Sequence, residues 1–114
     1  YKTDNGKITV ISVLYNYGNE NQALKQIWDK MPQAANTETE LSQAISLDDF
    51  YPEDKDYYNF EGSLTTPPCT EGVNWIVFKN QETVSKEQVE KFTQTLGFEN
   101  NRPIQDTNGR QIKE

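Results

Sequence analysis

The stretch Tyr57-Tyr58-Asn59-Phe60-Glu61-Gly62-Ser63-Leu64-Thr65-Thr66-Pro67-Pro68-Cys69-Thr70-Glu71-Gly72-Val73-Asn74-Trp75-Ile76-Val77 decides how the chain is read. Its two ends are rich in aromatic and β-branched residues, which suit a pleated, half-buried surface. Tyr57 to Leu64 is predicted as one strand, bounded by Gly62. Val73 to Lys79 is predicted as another, with Val73, Trp75 and Val77 on one face and Asn74, Ile76 and Phe78 on the other. Thr65-Thr66-Pro67-Pro68 between them has to be irregular, because two prolines remove two ladder donors. The segment Glu61 to Gly72 packs hydroxyls, glycines and a Pro-Pro into a short space. It is open to two interpretations: a rigid structural turn, or a loop that aims a hydroxyl and a free backbone N–H at a reacting atom.

Upstream, Lys7 to Tyr17 is apolar on both faces, with Ile8, Val10 and Leu14 on one and Thr9, Ile11, Val13 and Tyr15 on the other. That pattern predicts a central strand. Asn5-Gly6 before it is a hairpin signal, so Tyr1 to Asp4 is expected to be the end of a first arm that continues further upstream. Asn19 to Met31 is predicted as a helix whose stripe is Leu24, Ile27, Trp28 and Met31, ended by Pro32. Gln33 to Glu40 reads as loop, Thr39 to Ile45 as a short helical turn, and Asp48 to Pro52 as an irregular connection.

Downstream, Val84 to Gly97 carries a full set of helix signals. Ser85 is the N-cap, Gln88 at N3 completes a capping box, and Val84 with Val89 forms a hydrophobic staple. Val89, Phe92 and Leu96 are predicted as the buried stripe, and Gly97 stands where a left-handed cap belongs. The tail from Phe98 is polar apart from Ile112. Strands before and between two helices, without βαβ alternation, predict an α+β fold with an antiparallel-leaning sheet.

Composition narrows the function classes. The 114 residues suit one small domain. Only 33% are apolar, so the core is lean, yet six Tyr, five Phe and two Trp argue against disorder. No apolar run is long enough to span a membrane, and the sequence opens on Tyr1-Lys2-Thr3-Asp4 without a basic, apolar leader. A net charge of -7 repels phosphate backbones, which argues against nucleic acid as a partner. Histidine is absent, removing imidazole acid–base chemistry and imidazole metal ligands. The one cysteine, Cys69, closes no internal disulfide; it is a free thiol or pairs outside the chain. The acidic run Asp48, Asp49, Glu53, Asp54 and Asp56 lacks EF-hand spacing and reads as a solvated loop. Trp28 and Met31 read as core, and Tyr57, Tyr58 and Phe60 as sheet packing.

Taken whole, the stretch from Tyr57 to Val77 closely resembles the α-class carbonic anhydrases. The resemblance is carried by Gly62-Ser63-Leu64-Thr65-Thr66-Pro67-Pro68-Cys69, then Glu71 and Val73-Asn74-Trp75. Ile8 to Gly18 is similar to that family's inner strand, Ser85 to Leu96 to its late helix, and Asn101-Arg102-Pro103 to its C-terminal Asn-Arg-Pro. It covers nearly all of residues 1–114, but about the second half of the family's single domain, and so implies an α+β fold that is part of a mostly antiparallel, twisted central sheet with peripheral helices.

The resemblance implies reversible hydration of carbon dioxide to bicarbonate by a zinc-bound hydroxide. It puts the three histidine ligands of the zinc in the preceding half. Thr65 is then the catalytic gatekeeper, its hydroxyl orienting the nucleophile and its backbone N–H meeting a substrate or inhibitor oxygen. Thr66 lines the polar side, while Val10, Leu64, Val73 and Trp75 form the apolar pocket for carbon dioxide. Sulfonamides are the implied inhibitors, and Pro67-Pro68 is expected to be cis. Cys69 matches a cysteine that pairs with one near the N-terminus in exported members, which implies a periplasmic or secreted protein. The chain alone is expected to be inactive. A truncated, inactive module that binds or serves a structural role is the alternative.

Overall fold

In a computed structural model describing residues 1–114, the chain runs β1 (Thr9–Ser12), β2 (Tyr15–Tyr17), α1 (Gln22–Trp28), a 3-10 turn (Leu47–Phe50), β3 (Tyr57–Ser63), β4 (Glu71–Phe78), β5 (Glu82–Val84) and α2 (Lys86–Leu96). It forms two compact units. One comprises Tyr1–Leu14, Pro52–Gln81 and Asn100–Glu114; the other comprises Tyr15–Tyr51 and Glu82–Glu99.

The first unit is built on a three-stranded sheet in the order β1-β4-β3. β3 runs antiparallel to β4 from Tyr57↔Phe78 to Gly62↔Val73, and the register then shifts between Gly62 and Ser63. β1 runs parallel to β4, from Thr9↔Asn74 to Ser12↔Val77. Val73 and Phe78 are buried on opposite faces of β4, as the alternation of that strand requires. The Asn5-Gly6 turn forms as the sequence predicts: Lys2 bridges Ile8, and Gly6 sits at φ +85°, where a side chain would be strained. On the far edge, Asn59 and Lys113 exchange both backbone hydrogen bonds, so the polar tail adds a one-residue fringe to β3.

The second unit pairs β2 with β5 in parallel, Tyr15↔Glu82 to Tyr17↔Val84, and carries both helices. α2 forms with the predicted caps, Ser85 and Gln88 in a complete capping box and Gly97 left-handed at φ +80°, but Val89, Phe92 and Leu96 are half-buried and the buried residue is Gln88. Trp28 of α1 stacks on Phe92 of α2 with centroids 5.3 Å apart. The staple residues Val84 and Val89 share an apolar depression with Tyr15, Tyr17, Leu24 and Trp28. Here burial, and then the charge of Glu82, push the Tyr15 phenol above its ordinary range, while Asp29 and then Glu20 raise Lys25.

Several expectations are corrected. Lys7 to Tyr17 is not one central strand but two short ones, β1 and β2, which pair in different sheets. β1 is flanked on one side by β4 and on the other only by the Tyr1–Lys2 arm. The first helix covers only Gln22–Trp28, because Asn21 caps it with its side chain accepting from the Leu24 N–H. Its buried residue is Ala23; Leu24, Trp28 and Met31 are half-buried and Ile27 is exposed. Thr39 to Ile45 is not helical, and the single turn forms later, at Leu47–Phe50. Strand β5 and both parallel pairings go beyond what the sequence predicts, since alternation marks a strand's faces and not its direction.

Candidate active site

The irregular end of β3 and β4 gathers the polar residues that the sequence singled out. The Leu64 N–H donates to the Thr70 carbonyl at 2.9 Å, and the Cys69 N–H donates to the Thr66 carbonyl at 2.8 Å. These two bonds close the loop from residue 64 to residue 70 at its base and near its tip, and so fix the backbone around Thr65 and Thr66. The side chains of both threonines remain exposed. Pro67-Pro68 is cis, and Cys69 and Gly72 take positive φ at +58° and +76°.

Three residues hold the approach to Thr65. The Trp75 indole Nε1 donates to the Ser63 carbonyl at 3.0 Å. Arg102 Nη1 donates to Ser63 Oγ at 2.8 Å and to the Leu64 carbonyl at 3.4 Å. Gly62 lets the indole lie this close, because a Cβ at that position would stand 3.0 Å from Trp75 Cδ1.

The apolar candidates meet on one face of the sheet. Val10 lies opposite Trp75 in the β1–β4 register, and Phe60 lies opposite Trp75 in the β3–β4 register. The Phe60 and Trp75 rings stack with centroids 6.4 Å apart and planes at 5°. Val73, two residues from Trp75, shares that face and is 1% exposed. Val10, Leu64 and Trp75 are half-buried. The fold therefore brings Val10, Val73 and Trp75 to one sheet face, with Leu64, Thr65 and Thr66 following directly at the end of β3.

The supporting roles of Gly62, Ser63 and Arg102 are not readable from the sequence, although all three stand in its motifs. Arg102 stood out only as part of Asn101-Arg102-Pro103, and nothing in the polar tail announces that its guanidinium returns to Ser63, 39 positions earlier. Beside it the tail closes a polar pocket of about 260 Å³ lined by Glu61, Ser63, Glu71, Arg102, Asp106 and Arg110 among others. Arg110 there donates to the backbone carbonyls of Glu61, Asp106 and Thr107. No group of three or more His, Cys, Asp or Glu side chains is arranged to hold a metal ion, so this chain's residues do not fit a zinc site. Cys69 is a half-buried free thiol.

Comparison with known proteins finds relatives over nearly the whole chain. Carbonic anhydrase from Neisseria gonorrhoeae is 44% identical over 111 residues, covering 97% of this chain and 44% of that protein. The Klebsiella pneumoniae carbonic anhydrase is 40% identical over 114 residues, covering all of this chain and 46% of that protein. The solved structure of α-carbonic anhydrase from Thermovibrio ammonificans with the inhibitor sulfanilamide superposes with a TM-score of 0.92 at 46% identity, covering 97% of this chain and 49% of that one. The chain thus spans about half the length of the relatives it matches. A family model for the eukaryotic-type carbonic anhydrases matches residues 1–114 in full, and the chain belongs to that family.

Proposed function

We propose that this chain is the C-terminal half of a single α-carbonic anhydrase domain, and that the complete domain catalyses the zinc-dependent, reversible hydration of carbon dioxide to bicarbonate. The observation that carries the proposal is the loop at the end of β3. It is a rigid backbone that leaves Thr65 exposed beside the apolar face of Val10, Val73 and Trp75. Zinc, when bound, supplies a water activated for attack near neutral pH. Its ligands lie outside this chain.

What this chain contributes is orientation and dryness. The Thr65 hydroxyl both accepts and donates, so it fixes which lone pair of the nucleophilic oxygen faces the substrate. The Thr65 N–H has no acceptor within the chain and is free to meet a substrate or inhibitor oxygen. Thr66 carries the polar side of the site. Val10, Leu64, Val73 and Trp75 offer apolar contacts, which suit a small molecule without net charge or dipole. Cys69 pairs with a cysteine of the other half in an oxidising compartment, which makes the protein periplasmic or secreted.

The test is stopped-flow hydration of carbon dioxide by the complete, zinc-loaded protein. Activity abolished by sulfanilamide supports the proposal. Full zinc occupancy without hydration would overturn it in favour of an inactive binding or structural module.

A further inference from the structure

We propose that Arg102 is a positioning residue for Thr65, and that it sets the direction and the donor strength of the Thr65 backbone N–H. The inference rests on the role given to Thr65 above.

Two consecutive peptide groups lead into Thr65, and the structure grips them differently. The Ser63–Leu64 peptide is held at both ends, its carbonyl by the Trp75 indole at 3.0 Å and its N–H by the Thr70 carbonyl at 2.9 Å. It cannot turn without breaking a bond on either side. The Leu64–Thr65 peptide is held at one end only, where its carbonyl accepts from Arg102 Nη1 at 3.4 Å. Its other end is the Thr65 N–H, which no acceptor of this chain takes.

In a trans peptide the C=O and N–H point in opposite directions across one rigid plane. A cation on the carbonyl side therefore aims the N–H away from itself, toward the open side of the loop. It also draws electron density through the amide, and such coupling strengthens a hydrogen bond by about 10–30% per link. The second proton of Nη1 goes to Ser63 Oγ at 2.8 Å, which anchors the guanidinium against sliding. A planar guanidinium serves two acceptors in fixed directions, whereas an ammonium is a single flexible point charge. Arg102 is half-buried, so these bonds are shielded in part from competing water.

The competing role is a mere anchor for the polar tail, and the experiment separates the two. In the complete, zinc-loaded protein, Arg102→Met keeps the apolar stem and removes the donors. Arg102→Lys restores the charge without the planar fork. The readouts are the Thr65 amide resonance by NMR, sulfanilamide affinity, zinc content and the thermal midpoint. Arg102→Met is expected to shift the Thr65 amide proton upfield and weaken sulfanilamide by about tenfold to a hundredfold, with zinc content unchanged. Arg102→Lys should recover part of both losses. Ser63→Ala frees the guanidinium from its anchor and should shift the Thr65 amide less, in the same direction, even where Arg102→Met fails to fold. A lower thermal midpoint with an unmoved Thr65 amide and unaltered affinity would overturn the proposal. Failure of the carbonic anhydrase assignment shows instead in the unsubstituted protein, as absent hydration. The Thr65 amide response, read without substrate, still decides whether Arg102 controls that N–H.

Discussion

Trp75 and Ser63 are joined side chain to backbone, indole Nε1 to carbonyl, at 3.0 Å, just where the β3–β4 ladder slips its register. The bond gives the Ser63 carbonyl a partner at an irregular point of the sheet, and it ties the loop's entry to the centre of β4. One residue thus serves two purposes: its ring stacks on Phe60, and its N–H holds the backbone that leads to Thr65.

Trp75→Phe keeps an aromatic ring against Phe60 and leaves the Ser63 carbonyl unpaired. The expected cost is about 1–2 kcal/mol in denaturant unfolding, with faster amide exchange at Leu64. Exchange at Leu64 matching the unsubstituted protein would mean that the indole does not restrain the loop.

Gly62→Ala attacks the same contact from the other strand. A Cβ there meets Trp75 Cδ1 at 3.0 Å, Trp75 Nε1 at 3.2 Å and Phe60 Cε2 at 3.4 Å. The Trp75 indole has to give by a few tenths of an ångström, while Phe60 is left at ordinary contact, and the expected cost is about 1–3 kcal/mol by the measure of overpacked cores. Since the displaced indole also loses Ser63, the double variant with Trp75→Phe should cost less than the sum of the two. Strict additivity would show that Gly62 and Trp75 act independently.

In the second unit, stability hangs on Gln88. Its Oε1 accepts from the Asn21 N–H at 2.8 Å and the Ser85 N–H at 3.1 Å, and its Nε2 donates to the Asn21 carbonyl at 2.9 Å. The amide therefore pins the caps of α1 and α2 together while lying buried at 7% exposure. Gln88→Leu leaves the Asn21 and Ser85 N–H groups without their acceptor, while the Asn21 carbonyl keeps the Lys25 N–H at 3.0 Å, so a loss of roughly 2–4 kcal/mol is expected in chemical denaturation. A change below roughly 0.5 kcal/mol would mean that water replaces the amide without penalty.

How much of this is legible in the sequence depends on how local each signal is. The capping box of Ser85 and Gln88, the left-handed Gly97 and the Asn5-Gly6 turn are written within a few residues, and all three form as the sequence predicts. The Glu61 to Gly72 loop is legible as irregular from its two prolines. Its likeness to a known family supplies the cis bond seen in the structure. Gln88 is readable as a cap but not as a bridge to Asn21, 67 positions away. Arg102 is invisible as a support for Ser63 for the same reason. The break between β1 and β2 is hidden because the apolar pattern continues through Val13 and Leu14, whereas the strand partners change from β4 to β5.

Thr65→Ala separates chemistry from fold. Thr65 is exposed, and its side chain makes no hydrogen bond within this chain, so removing the hydroxyl should leave stability within about 0.5 kcal/mol. Under the proposed function the zinc ligands come from the other half of the domain, so metal content should be unchanged in the complete protein. Turnover should nevertheless fall on the order of 10²-fold, the scale for losing one oriented group beside a reacting oxygen. Thr65→Ser keeps the hydroxyl on the same backbone and should recover most of the rate, because Ser offers the same donor and acceptor and lacks only the methyl. The pair is measured by zinc analysis and stopped-flow hydration on the same preparations. Equal turnover in the Ala and unsubstituted proteins would return Thr65 to the role of a structural turn. A loss in both Ala and Ser would assign the effect to the missing methyl and its packing, not to the hydroxyl.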